Sequence, residues 1–164
     1  MSKNRLTPFY KPYNRNMKRV YVSGPMTGYP NNNFPAFQEA ANDLRGMGYS
    51  VCSPAETDVH LGIGALTHEQ YLRFDFERVL EADFVVALPG WEDSLGSLSE
   101  ILVAVRIGTK VWQWDSFDDF NAIGYEQVVA AMSTNGNAVR LPFDEQRYPQ
   151  DEGNAGDVWR TPWE

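Results

Sequence analysis

A single cysteine, Cys52, excludes any disulfide within the chain, and a reducing cytoplasm is the compartment this usage leads us to expect. Cys52 lies in the apolar stretch YSVCSP and reads as a small buried hydrophobe. Histidine is almost as scarce. The two present, His60 and His68, show no metal-ligand spacing with each other or with Cys52, so a metal site is not expected. No apolar run approaches the roughly 18 residues that a membrane helix needs, which sets membrane partners aside. The N-terminal MSKNRLTPFYKPYNRNMKR is basic but lacks the apolar core of a secretory signal. Positive charge is short overall: 14 Lys and Arg against 22 Asp and Glu leave a net charge of -8. A nucleic-acid polymer needs phosphate-neutralising side chains in number, so that class of partner is not expected. One nucleotide remains admissible, because backbone N–H groups and hydroxyls can hold a single phosphate.

What is present suits one α/β domain. The chain has 164 residues, 43% of them hydrophobic, enough for one real core. Residues 1–17 read as a flexible basic arm, 18–133 as the domain, and 134–164 as a polar, acidic tail that is either disordered or packs Trp159 and Trp163 on a neighbour. Arg19-Val-Tyr-Val-Ser-Gly is a β-rich run and the first strand. The loop PMTGYPNNN follows. Asn33 can cap the next helix and Pro35 suits its first turn. Phe34, Phe37, Ala40, Ala41 and Leu44 recur at helical spacing. A strand from Tyr49 to Pro54, a loop from Ala55 to Thr67 and a helix from His68 to Glu81 come next. The strand from Ala82 to Leu88 is unbroken apolar from Phe84, as a strand covered on both faces should be. A helix over Leu95 to Ile107, a strand over Thr109 to Trp114 and a weaker helix over Tyr125 to Met132 complete the pattern. The alternation predicts a doubly wound parallel sheet of four to five strands with helices on both faces.

Chemistry gathers at GWEDSLGSLSE, Gly90 to Glu100, where a buried strand should turn into a helix. Ligands of open parallel sheets sit at the carboxyl ends of strands, beside helix N-termini. Ser97-Leu-Ser-Glu100 fits a capping box, and spacing alone favours that reading. The alternative starts the helix at Ser94 and turns Glu100 into the crevice, where a poorly solvated carboxylate could serve as a nucleophile. Ser94 is an ordinary N-cap candidate, and with Gly96 behind it the same turn can hold a phosphate. Trp91 suits base stacking and covering a sheet edge equally. Asp93 lies in the same loop, within reach of a base or sugar. Elsewhere, Asp75 falls inside the apolar arc of its helix, which Tyr71, Leu72, Phe76, Val79 and Leu80 define and from which Arg73, Glu77, Arg78 and Glu81 point away. A carboxylate facing a core is costly unless paired or in service of a site.

At these residues the sequence resembles the nucleoside 2-deoxyribosyltransferase superfamily, and within it a small branch met in bacteriophage and bacterial genomes. The matching pieces are VYVSGPMTG with NNNFPAF behind it, YLRFD, and LPGWEDSLGSLSE with ILVAVRIGTKV following. The resemblance implies a flavodoxin-like fold, a homodimer or larger assembly, and cleavage of an N-glycosidic bond without a cofactor. It maps Glu100 onto the nucleophile that attacks the anomeric carbon, Tyr21 onto the tyrosine that orients it, and Asp75 onto the aspartate that handles the base or its proton. Ser23, Gly24, Pro25, Met26 and Gly28 fall in the loop that lies against the sugar. Family members acting on free nucleosides carry an acid six residues before the nucleophile, whereas those hydrolysing nucleoside 5'-monophosphates carry serine, as Ser94 does here. The expected reaction is hydrolysis of a 2'-deoxynucleoside 5'-monophosphate. Base exchange, a silent nucleotide-binding module and a structural partner protein stand as alternatives.

Overall fold

The computed structural model describes residues 13–62, 66–114 and 122–134. Four parallel strands, β1 (Arg19–Ser23), β2 (Ser50–Cys52), β3 (Phe84–Ala87) and β4 (Lys110–Gln113), form a sheet in the order β2-β1-β3-β4. Registers place Tyr21 beside Cys52 on one side and Val85 on the other, and Ser23 beside Ala87. The order reverses between β1 and β3, so the crevice at their carboxyl ends is the switch point at which such sheets bind ligands.

Alternation along each strand sorts the side chains into two cores. Val20, Val22, Val51, Val86 and Leu88 meet Phe37, Ala40, Ala41 and Leu44 of α1 (Phe34–Gly46) and Ala55 of α2 (Pro54–Leu61). Tyr21, Cys52, Val85, Ala87 and Val111 face the other way. They meet Val79 of α3 (His68–Glu81), Leu98, Ile101 and Ala104 of α4 (Leu95–Arg106), and Val128 of α5 (Tyr125–Thr134). Helices on both faces explain why the strands are apolar throughout. Each fully buried Val or Leu contributes about 1.5–3 kcal/mol relative to exposure. Because Tyr21 is odd in this alternation, the strand points its hydroxyl and that of Ser23 toward α3 and α4. At the amino edge, Arg19 pairs with Asp83 at 3.1 Å and ties the start of β1 to that of β3.

Several local expectations change. The stretch from Ala55 to Thr67, expected as a loop, holds α2 over its first part. Pro54 at the first helical position starts it. The helix buries only a narrow face, through Ala55 and Thr57, and leaves Val59 68% exposed, so no apolar period marked it. Asn33 does precede α1, but its backbone is left-handed and its side chain makes no cap; the amide donates instead to the Pro25 carbonyl at 2.8 Å. On α3, Leu80 is exposed and Arg78 is buried, the reverse of the expected faces. The Arg78 guanidinium sits 4.9 Å over the Phe74 ring and pairs with Glu77 and Glu81, so its stem covers apolar surface while its charge is met.

Of the lead-in read as residues 1–17, Tyr13 is buried and donates its hydroxyl to the Arg78 carbonyl at 2.9 Å, and the Asn14 N–H donates to Ser50 Oγ. Residues 1–12 lie outside the described residues, as does the tail from 135 with Trp159 and Trp163. Among the described residues no helix is long and apolar enough to cross a membrane.

Candidate active site

Three elements bring the site together at the carboxyl edge of β1. The strand supplies Tyr21 and Ser23, α4 supplies Glu100 from its second turn, and α3 supplies Asp75. Ser94, not Ser97, is the N-cap of α4: its hydroxyl accepts the Ser97 N–H at 3.2 Å. This overturns the capping box expected from spacing. The helix begins three residues earlier, and Glu100 therefore lies inside it, facing the sheet. A true capping box forms instead at the start of α3, between Thr67 and Gln70.

Glu100 is 7% exposed. Its two oxygens are divided between two donors. The Tyr21 hydroxyl reaches Oε1 at 3.0 Å and the Ser23 hydroxyl reaches Oε2 at 2.6 Å. The Ser23 bond has the short length of a charge-assisted O–H···O⁻ contact. Tyr21 and Ser23 are themselves fully buried, so neither donor has water as a competitor. Burial first, then the neighbouring carboxyl groups of Asp75 and Glu100, push the Tyr21 hydroxyl well above its ordinary range, which keeps it a protonated donor.

Asp75 shares this environment. It is half-buried within the stripe of Tyr71, Val79 and Ala82, and its Oδ1 is buried without a hydrogen-bond partner among the described residues. Burial first, then the charge of Glu100 and of Asp58, raise its pKa to about 8, while Arg78 and the Tyr21 hydroxyl pull the other way. Burial likewise raises Glu100 to about 7, against the opposing pull of Ser23 and Tyr21. Two poorly solvated carboxylates that repel one another cannot both ionise cheaply. Glu100 has two hydroxyl donors and Asp75 has an orphan oxygen. This arrangement favours the charge on Glu100 and the proton on Asp75.

The surrounding loops close tightly on this pair. At Gly24 an added Cβ would stand 2.8 Å from the Cβ of Leu88, so only glycine lets β1 leave the sheet so near the end of β3. Gly90 has φ +87, and the Tyr29 hydroxyl occupies the space a side chain would take. Pro25 is buried, Met26 half-buried and Gly28 exposed. These contacts dock the β1–α1 loop against the β3–α4 loop around Ser23.

The remaining expected site residues divide. Ser94 is half-buried, and Asp93 and Gly96 are exposed at the mouth of the same turn. Leu95 and Gly96 stand in the first turn of α4, where N–H groups have no intrahelical acceptor. Trp91 is different. It is 4% exposed and packed in the core shared by α4 and α5, which leaves its ring no open face for a base and puts it inside the fold instead of over a sheet edge. Two residues escaped sequence reasoning. Ser97 is buried with its hydroxyl 2.8 Å from that of Ser23; its signal was the three-residue spacing to Glu100, which places both on one helix face. Asp58 acts on Asp75 from α2, a helix the sequence did not reveal. Among the described residues no group of three or more His, Cys, Asp or Glu could hold a metal ion. A groove lined by Gln38, Arg45, Glu56, Val59 and His60 shares no residue with the acid pair.

The fold has a counterpart among solved structures. A conserved protein from Enterococcus faecalis V583, 20% identical, superposes with a TM-score of 0.50 over 73% of this chain and 88% of that one. A 2-deoxyribosyltransferase from the psychrotolerant bacterium Bacillus psychrosaccharolyticus, also 20% identical, gives a TM-score of 0.48 over 58% of this chain and 70% of that one. Likenesses at this level concern the fold. No curated protein matches the chain. A family model does, over residues 18–113, which span all four strands and every residue of the site. The chain thus belongs to the DUF4406 family, a domain of unknown function.

Proposed function

We propose that the protein hydrolyses the N-glycosidic bond of a 2'-deoxynucleoside 5'-monophosphate, with Glu100 as nucleophile and Asp75 as general acid and base. The observation that carries this reading is the unequal treatment of the two acids. Glu100 has a hydroxyl on each oxygen, from Tyr21 and Ser23, while Asp75 is held in its neutral form by burial and by the charge of Glu100. Retaining glycosidases use such a division of labour, in which one carboxylate attacks and the other protonates the leaving group.

The steps follow from that division. The ionised Glu100 forms a bond to the anomeric carbon as the bond from that carbon to the base nitrogen breaks, through an oxocarbenium-like transition state. The proton of Asp75 passes to the departing base. Water then attacks the same carbon, the ester to Glu100 breaks, and Asp75 takes up the proton that the water loses. Both acids return to their starting forms, and the products are a free base and 2-deoxyribose 5-phosphate. The hydroxyls of Tyr21 and Ser23 fix the direction of the attacking oxygens. Their hold also weakens the carboxylate as a nucleophile, so each hydrogen bond trades reactivity for position.

The 5'-phosphate is assigned to the first turn of α4. Ser94 offers a hydroxyl and Leu95 and Gly96 offer N–H groups at the positive end of a 12-residue helix. An acid at position 94 would repel the phosphate, whereas a hydroxyl does not. The test is incubation with each deoxynucleoside monophosphate, followed by chromatography for free base. Release from at least one substrate, abolished in Glu100→Ala, is expected. No release from any, at protein levels where a control hydrolase acts, would overturn the reading. Formation of a new nucleoside on adding an acceptor base would reassign the reaction to base exchange.

A further inference from the structure

We propose that Ser97 is a positioning residue that sets the proton order of the Ser23–Glu100 hydrogen bond and so holds Glu100 ionised. The inference deepens the reading of Glu100 as nucleophile and rests on it for its catalytic consequence, though not for its test.

The argument begins with proton counting. Ser23 and Ser97 are 0% and 2% exposed, and their hydroxyls lie 2.8 Å apart. Each hydroxyl has one proton. The Ser23 proton lies toward Glu100 Oε2, at 2.6 Å, because an ionised carboxylate can only accept. Ser23 Oγ can then take part in the contact with Ser97 only as acceptor, so Ser97 is the donor. The chain therefore runs in one direction, from Ser97 to Ser23 to Glu100. A hydroxyl that receives a hydrogen bond is a stronger donor. Ser97 thus strengthens the bond that stabilises the carboxylate, and removes the rotamer in which Ser23 turns its proton away.

Ser97 is well placed to do this. Its backbone N–H is fixed by Ser94 Oγ at 3.2 Å. It lies one helical turn before Glu100, so donor and carboxylate move as one rigid unit on α4. Ser23 is fixed at the end of β1 by its ladder beside Ala87. The relay thus spans strand and helix at the switch point, and the cap that starts the helix also aims its first member.

The experiment is a carboxyl titration of Glu100, followed by ¹³C NMR in the full chain labelled at glutamate and assigned with Glu100→Gln. It needs no turnover, so it reads the relay even if no substrate is hydrolysed. Ser97→Ala should raise the Glu100 titration midpoint by about 0.5 to 1 pH unit, and Ser97→Thr should restore it. Ser23→Ala should raise it further, and adding Ser97→Ala to that variant should change nothing more. If the activity proposed above is present, Ser97→Ala lowers kcat about three- to tenfold with KM little changed, and its acid limb moves up with the NMR midpoint. A Glu100 midpoint in Ser97→Ala equal to that of wild type would overturn the proposal. So would an equal upward shift in the Ser23→Ala background, since Ser97 would then act by another route. Absence of turnover in the wild-type protein, with the Glu100 midpoint shifting across the series as described, would refute the glycosidase reading and leave the relay standing.

Discussion

Replacing Asp75 with asparagine should make the protein more stable at neutral pH, and by an amount that grows as pH rises. Burial and the charge of Glu100 lift the Asp75 pKa from 3.8 to about 8. A carboxyl whose pKa is raised in the folded state contributes stability below its unfolded pKa, and that contribution is lost as pH climbs from near 3.8 through about 8. Within this window the native state holds a proton that the unfolded chain releases. One such proton gives a slope of about 1.4 kcal/mol per pH unit. Between pH 5 and 7 wild type should therefore lose about 3 kcal/mol relative to Asp75→Asn, which has no proton to release. Asparagine keeps the shape of the neutral acid, so packing against Tyr71 and Val79 is preserved. Urea unfolding of both proteins at pH 5, 6 and 7 reads the difference directly, provided the m-values agree. Stability curves that run parallel from pH 5 to 7 would refute the reasoning, because Asp75 would then be ionised in the native state and unavailable as an acid. The same variant should lose most base release, so stability and activity would move in opposite directions.

Three further substitutions have defined outcomes. Tyr21→Phe removes the donor at 3.0 Å from Glu100 Oε1; a hydrogen bond to a charged group is worth about 1.5–3 kcal/mol, so kcat/KM for base release should fall about tenfold to a hundredfold, and an unchanged value would deny the tyrosine its role. Gly24→Ala forces a methyl to 2.8 Å from the Leu88 Cβ and should cost about 1–3 kcal/mol in chemical denaturation, whereas the exposed Gly28, with φ +85 and open space around it, should lose only about 1 kcal/mol on change to alanine. Ser94→Ala should remove about 1 kcal/mol of helix capping and raise KM for a monophosphate more than for the matching nucleoside; equal rises would place the phosphate elsewhere.

The parts of this fold legible in the sequence are those whose burial leaves a period. α3 occupies His68–Glu81 as its pattern indicates, and the strand after it is apolar because helices cover both its faces. Asp75 could be picked out because a carboxylate interrupts that pattern. Other features depend on three-dimensional partners that spacing does not encode. α2 buries too narrow a face to show a period. Arg78 reads as a surface cation until Phe74, Glu77 and Glu81 gather round it. The contest at Glu100 turned on one residue pair: both Ser94 and Ser97 can cap a helix, and local sequence favours the nearer glutamate partner. What decides for Ser94 is the buried pair of donors on β1, 77 and 79 residues away along the chain, which only the folded sheet brings to Glu100. Trp91 was equally open between stacking on a base and covering a sheet edge, and the fold instead buries it in the core against α5.

The most direct test of the central claim, a glycosyl ester on Glu100, is the configuration of the product formed when methanol competes with water. Two displacements at the anomeric carbon retain configuration, so a β-nucleotide substrate should give the β-methyl glycoside of 2-deoxyribose 5-phosphate by proton NMR. The α-methyl glycoside would mean a single displacement, with no bond between the sugar and Glu100.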